Sequence, residues 1–159
     1  MNGLRLYLDT SVWSGLFAER QPEHQRWGKL LLDHAKASGI QLYASDTVLA
    51  EFARAPSDLQ DCLIGALQDS EAIVLEVDSQ VIEFATACIA RGTIPERYEA
   101  DAVHIGCAVV AGLDAIVSWN MEHIVKLRTK HDVKVLCLEL GYRLVEIVTP
   151  QEVLPDAQV

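Results

Sequence analysis

The sequence predicts an α/β fold with a mostly parallel central sheet covered by helices on both faces. Two observations carry this reading. Short, almost wholly apolar runs, of the kind buried parallel strands require, alternate along the chain with longer segments whose apolar residues recur at helical spacing. The chain has 159 residues, 50% of them hydrophobic, with no linker, internal repeat or low-complexity stretch, which suits one hydrophobic core. A single domain over residues 1–159 is expected, its core running from about residue 4 to residue 154.

Leu4, Leu6 and Leu8 alternate with Arg5 and Tyr7 and predict a first strand, ended by Asp9-Thr10-Ser11. Val12, Trp13, Leu16 and Phe17 then take helical spacing. Pro22 opens a longer helix to Ser38, with Trp27, Leu30, Leu31 and Ala35 on one face and Gly39 as its stop. A second strand is expected from Ile40 to Ala44. Ser45, Asp46 and Thr47 then offer capping oxygens for a short helix from Val48 to Arg54, which must end before Pro56. Ser57 opens another helix to about Gln68. A third strand is read from Ala72 to Val77, a helix capped by Asp78-Ser79 from about Gln80 to Arg91, and a loop at Gly92 and Pro95. A helix from about Tyr98 to Ala111 leads through Gly112 into a short strand, Ala115 to Ser118. The tail is expected to hold a short helix after Asn120, a segment around Val133 to Leu140 without a clear period, a late strand at Leu144 to Val148 and a polar end from Pro150.

The longest nearly apolar stretch, Ala102 to Leu113, contains His104 and falls short of the roughly 20 residues that cross a bilayer, so no membrane span is expected. Asp9 interrupts the N-terminus before a signal-peptide core forms, which makes the cytoplasm the expected location. Cys62, Cys88, Cys107 and Cys137 sit among aliphatic residues without zinc-site spacing and read as reduced, buried thiols. The net charge of −10 speaks against a broad basic surface for nucleic acid. A divalent cation held by acids would still present positive charge to a phosphate where it matters.

Ligands of open parallel sheets gather outside the carboxyl ends of the strands. Asp9 ends the first strand there, and Asn120 ends the one beginning at Ala115. Glu51 and Asp101 are acids interrupting core-like helices, Val48-Leu49-Ala50-Glu51-Phe52 and Ala100-Asp101-Ala102-Val103-His104-Ile105. Carboxylates on apolar faces are costly unless paired or metal-bound. Three carboxylates and one amide make a set of hard oxygens suited to Mg²⁺ or Mn²⁺. Taken singly, each residue also has a structural role open to it. Asp9 and Asn120 can cap the helices that follow them, and Glu51 and Asp101 can face water beside Arg54 and Arg97.

Taken together, four stretches resemble the PIN-domain ribonucleases, above all the VapC-type toxins. Tyr7-Leu8-Asp9-Thr10-Ser11-Val12-Trp13 resembles that family's first acidic motif and Ser45-Asp46-Thr47-Val48-Leu49-Ala50-Glu51 its second. Glu99-Ala100-Asp101-Ala102-Val103-His104-Ile105 resembles the third, and Ile116 to Ile124, with Ser118-Trp119-Asn120, the fourth. Glu146 to Leu154 is similar to the family's closing strand, so the likeness spans roughly Leu4 to Leu154.

The resemblance implies a PIN-like three-layer fold and a metal-dependent endoribonuclease acting on RNA. It further implies that Asp9, Glu51, Asp101 and Asn120 form the site and hold Mg²⁺ or Mn²⁺, with an antitoxin protein as partner and a homodimer as the assembly. Asn120 departs from the acid common at the fourth position, which lowers the site's negative charge; Glu122 is the nearest carboxylate to complete it through water. Among the neighbours, Thr10 or Ser11 can orient Asp9, and Glu99 points away from Asp101 on the helix. His104 reads as a hydrogen-bonded core histidine rather than a catalytic base, and Trp13 and Trp119 as core residues rather than base-stacking platforms. A phosphatase of the Asp-x-Asp-x-Thr kind fits poorly, because Ser11 stands where its second acid belongs. Two alternatives remain beside the toxin, namely an RNA-processing nuclease without an antitoxin and an inactive PIN-like module that binds RNA or protein.

Overall fold

The computed structural model of the chain describes residues 3–156. Five strands, β1 (Arg5–Leu8), β2 (Gln41–Ser45), β3 (Ile73–Leu75), β4 (Ala115–Val117) and β5 (Glu146–Val148), form one sheet in the order β3-β2-β1-β4-β5. Every pairing is parallel. The order steps outward one way from β1 through β2 to β3, then returns to place β4 on the other side of β1. Right-handed crossovers therefore put the early helices on one face and the later ones on the other.

On the first face α1 (Thr10–Gly15) packs against α2 (Pro22–Ser38) and α4 (Ser57–Asp69), with α3 (Asp46–Phe52) against α4. On the second, α5 (Ser79–Ala90) packs against α6 (Glu99–Val110) and α7 (Leu127–Leu140). A 3₁₀ turn, Glu96–Tyr98, leads into α6, and α8 (Pro150–Val153) closes the chain against α2. The core lies between these layers, where Leu6, Tyr7 and Leu8 of β1 and Ala115, Ile116 and Val117 of β4 are buried.

The helix from Pro22 to Ser38 has the expected bounds, because proline at its first position needs no N–H partner and Gly39 supplies the left-handed stop (φ 68°). Residues Ala102 to Val109 of α6 are buried throughout. Gly106 is what lets α5 approach so closely, since a Cβ there would stand 3.0 Å from the Val81 carbonyl oxygen.

The tail differs from the sequence reading in three places, the first being that the expected polar end from Pro150 is the helix α8, whose Pro150 and Val153 are buried. No helix follows Asn120 directly: the N–H groups of Ile124 and Val125 both donate to the Asn120 carbonyl, and Lys126 is extended (φ −151°, ψ 139°), so the chain closes on a turn instead of propagating. The segment without a clear period is the end of α7. Its stripe is blurred because Thr129 and Asp132 lie on the buried face while Leu127 and Leu138 are exposed. Asp132 is satisfied inside by the Thr93 hydroxyl at 2.9 Å and by Arg91 and Arg128. The third strand is also shorter than expected, since it is an edge whose Ile73 and Val74 are exposed. Among the described residues no helix is long and apolar enough to cross a membrane.

Candidate active site

The sheet order reverses between β1 and β4, and this is where side chains at the strand ends can converge. The register aligns Leu8 with Val117, so Asp9 and Ser118 follow side by side at the carboxyl ends of the two strands. Asp9 is 3% exposed. It accepts hydrogen bonds from Ser11 Oγ at 2.5 Å, from Ser118 Oγ at 2.6 Å and from the Val12 N–H at 3.4 Å. Asp9 thus caps α1 and is also clamped across the sheet. Burial pushes its pKa up, although His104 and these donors act in the opposite direction.

Glu51 comes from α3 and Asp101 from α6, and each is met by an imidazole. His104, one turn beyond Asp101, places Nε2 2.7 Å from Glu51 Oε1. Burial raises the Glu51 pKa, but the His104 hydrogen bond and charge, the Thr10 hydroxyl and Arg54 outweigh it and hold the carboxyl below its ordinary range. Asp101 Oδ2 lies 2.9 Å from His123 Nδ1, and His123 is tilted against the Tyr98 ring at a centroid distance of 4.1 Å. The exposed Arg97 guanidinium in turn lies 5.0 Å from the centre of that ring.

Asn120 shapes the same edge through its backbone turn. Its Oδ1 accepts the His123 N–H at 2.9 Å, and its own N–H donates to Ser118 Oγ at 2.9 Å. Asn120 therefore fixes both Ser118, which holds Asp9, and His123, which holds Asp101. Glu122 is largely exposed and approaches His123 Nε2 at 3.6 Å. Glu99 is exposed, as expected.

Ser11 holds Asp9 directly, whereas Thr10 faces His104 Nε2 at 3.5 Å. Trp13 is fully buried and donates to the Leu8 carbonyl, while Trp119 stacks on His24 with ring centroids 4.2 Å apart. Cys88, Cys107 and Cys137 are buried free thiols, as expected, but Cys62 is exposed. A cavity of 590 Å³ opens away from these residues, beside α2 and α4 at the amino ends of β2 and β3.

Sequence reasoning did not single out Ser118, His123 or Tyr7. Ser118 carries one signal, a hydroxyl closing an apolar strand. His123 carries another, its place three residues beyond Asn120. Tyr7 is hidden inside the strand pattern.

The donor set suits a hard divalent cation in kind, being carboxylate, hydroxyl and amide oxygens around one buried, clamped carboxylate. Among the described residues no three His, Cys, Asp or Glu side chains stand gathered at ligating distance. Glu51 rests on His104 and Asp101 on His123, so ligation by all three acids calls for movement of at least one of these side chains toward Asp9.

A family model described as PIN domain matches residues 5–122, a span that contains Asp9, Glu51, Asp101, Ser118 and Asn120 and stops one residue before His123. The chain belongs to the PIN-domain family. Solved structures agree on the fold. The toxin-antitoxin complex VapBC2 from Rickettsia felis, bound to a DNA fragment from its promoter, matches with a TM-score of 0.56 at 13% identity, over 92% of this chain and 98% of the other. VapBC-5 from Mycobacterium tuberculosis, a member of the VapBC family of toxin-antitoxin systems, matches with a TM-score of 0.50 at 19% identity, over 91% and 98%. No curated protein matches the sequence. In this PIN domain Asp9 follows β1, Glu51 stands on α3, Asp101 on α6 and Asn120 in the turn after β4, with Asp9 and Asn120 joined through Ser118.

Proposed function

We propose that this PIN domain is an endoribonuclease that depends on Mg²⁺ or Mn²⁺ and hydrolyses RNA phosphodiester bonds as the toxin of a cytoplasmic toxin-antitoxin pair. The observation that carries the reading is the Asp9 carboxylate, buried at the topological switch point and held by Ser11 and Ser118. A buried acid with a raised pKa is an unfavourable charge, and a nearby cation makes it favourable.

Asp9, Glu51 and Asp101 would hold the cation, with Asn120 as a neutral fourth position. When bound, the cation supplies water activation and neutralises charge developing on the phosphate. The chain's own residues do the rest. Ser11 and Ser118 keep the Asp9 oxygens in place, and Asn120 fixes the turn that carries His123. Arg97 and Tyr98 offer a cationic, aromatic rim on which an unpaired base can stack, a mode of binding that does not need a basic surface. This reconciles an RNA substrate with the net charge of −10.

The antitoxin partner is supported by the toxin-antitoxin structures that share the fold, and a homodimer is proposed with it. Incubation with labelled single-stranded RNA and single-stranded DNA tests the reading. RNA cleavage abolished by EDTA supports it. RNA binding without cleavage in excess Mn²⁺ would instead favour the inactive module, and cleavage with no partner encoded beside the gene would favour the processing enzyme.

A further inference from the structure

His104 lies at the centre of the site without being one of its acids. It is 1% exposed, and its two ring nitrogens face opposite ways. Nδ1 is 2.6 Å from the Tyr7 hydroxyl, which is itself 2.8 Å from Ser45 Oγ. Nε2 is 2.7 Å from Glu51 Oε1 and 3.5 Å from Thr10 Oγ1. One imidazole of α6 thereby touches β1, the first residue of α1, and α3, and its contacts Tyr7 and Thr10 flank Asp9 on either side.

We infer that His104 is a positioning residue for Glu51: the imidazole, locked by Tyr7 and Ser45, aims the Glu51 carboxylate at the edge where Asp9 stands. The inference rests on reading Glu51 as part of the cation site.

The proton arrangement follows from the contacts. An ionised Glu51 only accepts, so the Nε2 of His104 donates to it. In the neutral ring Nδ1 then accepts, which makes the Tyr7 hydroxyl the donor to it and Ser45 the donor to the Tyr7 oxygen. Each hydrogen bond along the row Ser45, Tyr7, His104, Glu51 then runs in one direction, toward the carboxylate. Tyr7 and Ser45 are both wholly buried, so the ring is held from its inner side and cannot turn without leaving buried hydroxyls unpaired.

A histidine serving the core alone would bond buried groups at both nitrogens. Here the outer nitrogen is directed to a carboxylate whose side chain is 29% exposed. Glutamate has several rotatable bonds, and fixing them costs up to about 2 kcal/mol. His104 fixes them before any cation arrives. Residues that orient metal-binding side chains in this way typically change metal affinity by about 10- to 100-fold when removed.

The test has two arms on the full chain. In metal-free protein, nitrogen-resolved NMR of the histidine ring should show Nε2 protonated and Nδ1 bare, and Glu51→Gln should shift the Nε2 signal while leaving Nδ1 near its position. In the second arm, calorimetry with Mn²⁺ alone compares wild type, His104→Leu and His104→Gln. Glutamine keeps an N–H donor where Nε2 stands, so it should bind within about threefold of wild type while leucine loses about tenfold or more. A folded His104→Leu protein with wild-type affinity, or a ring protonated on Nδ1 and bare on Nε2, overturns the inference. If His104→Leu does not fold, a His104→Gln protein that also loses tenfold overturns it. If wild type itself binds no Mn²⁺, the cation reading of the site fails, and the NMR arm still decides whether His104 holds Glu51.

Discussion

Ser118 Oγ donates to Asp9 Oδ2 across 2.6 Å, joining the carboxyl ends of β4 and β1 at the point where the sheet order reverses. The bond depends on the β1–β4 register, since Leu8 opposite Val117 brings the next two residues together. Ser118→Ala leaves the buried carboxylate with one clamp fewer. It should lower stability by about 1–3 kcal/mol and reduce RNA cleavage while the fold is kept. Urea unfolding and cleavage rates on the same preparation check both effects, and an unchanged rate in a destabilised variant would remove Ser118 from the site.

Asn120 should prove more important to the shape of the site than its neutral charge suggests. Asn120→Asp preserves the acceptor for the His123 N–H and adds a charge, so apparent Mn²⁺ affinity should rise in calorimetry. Asn120→Ala unties the turn, should cost about 1 kcal/mol in stability, and should lower activity less than Asp9→Asn does. An alanine variant as inactive as the Asp9 variant would make the amide indispensable to the chemistry.

Asp114 gives a pH dependence remote from the site. The Arg5 backbone N–H at 2.8 Å is the largest influence on its carboxyl; together with Arg143 at 2.6 Å it overcomes burial and holds the pKa below the ordinary range. A depressed folded pKa means that the stabilisation is fully present above the unfolded value of about 3.9 and is lost as pH falls through the lower, folded value. Asp114→Asn should therefore cost about 1 kcal/mol at neutral pH, and the difference from wild type should shrink below pH 4. Urea midpoints across that range test the sign; a gap that widens on acidification would reverse it.

How far the molecule was legible depended on whether each feature is local in sequence. β1, β4 and α2 carry their own signals, an apolar alternation, a short apolar run and a Pro-to-Gly frame, and they stand where these place them. Asp9, Glu51 and Asp101 are visible as acids among apolar neighbours. Ser118, Tyr7 and His123 take their partners Asp9, His104 and Asp101 from distant segments, so the local signals at Ser118 and His123 do not say what they hold. The turn after Asn120 was misread because Asn120 does supply a capping oxygen, to the His123 N–H, yet the extended Lys126 stops the helix from continuing. The end of α7 lacked a readable period because its buried face carries Asp132 and its exposed face carries leucines.

The most direct measurement is the rate of single-stranded RNA cleavage by EDTA-treated protein as Mn²⁺ is added back, with folded Asp9→Asn run in parallel. Activity that is absent at the start, returns with Mn²⁺ in wild type and stays at least 100-fold lower in Asp9→Asn, on the order of 3 kcal/mol in the barrier, is the predicted result. Equal cleavage by the two proteins, or cleavage indifferent to Mn²⁺, would contradict a cation-dependent site built on Asp9.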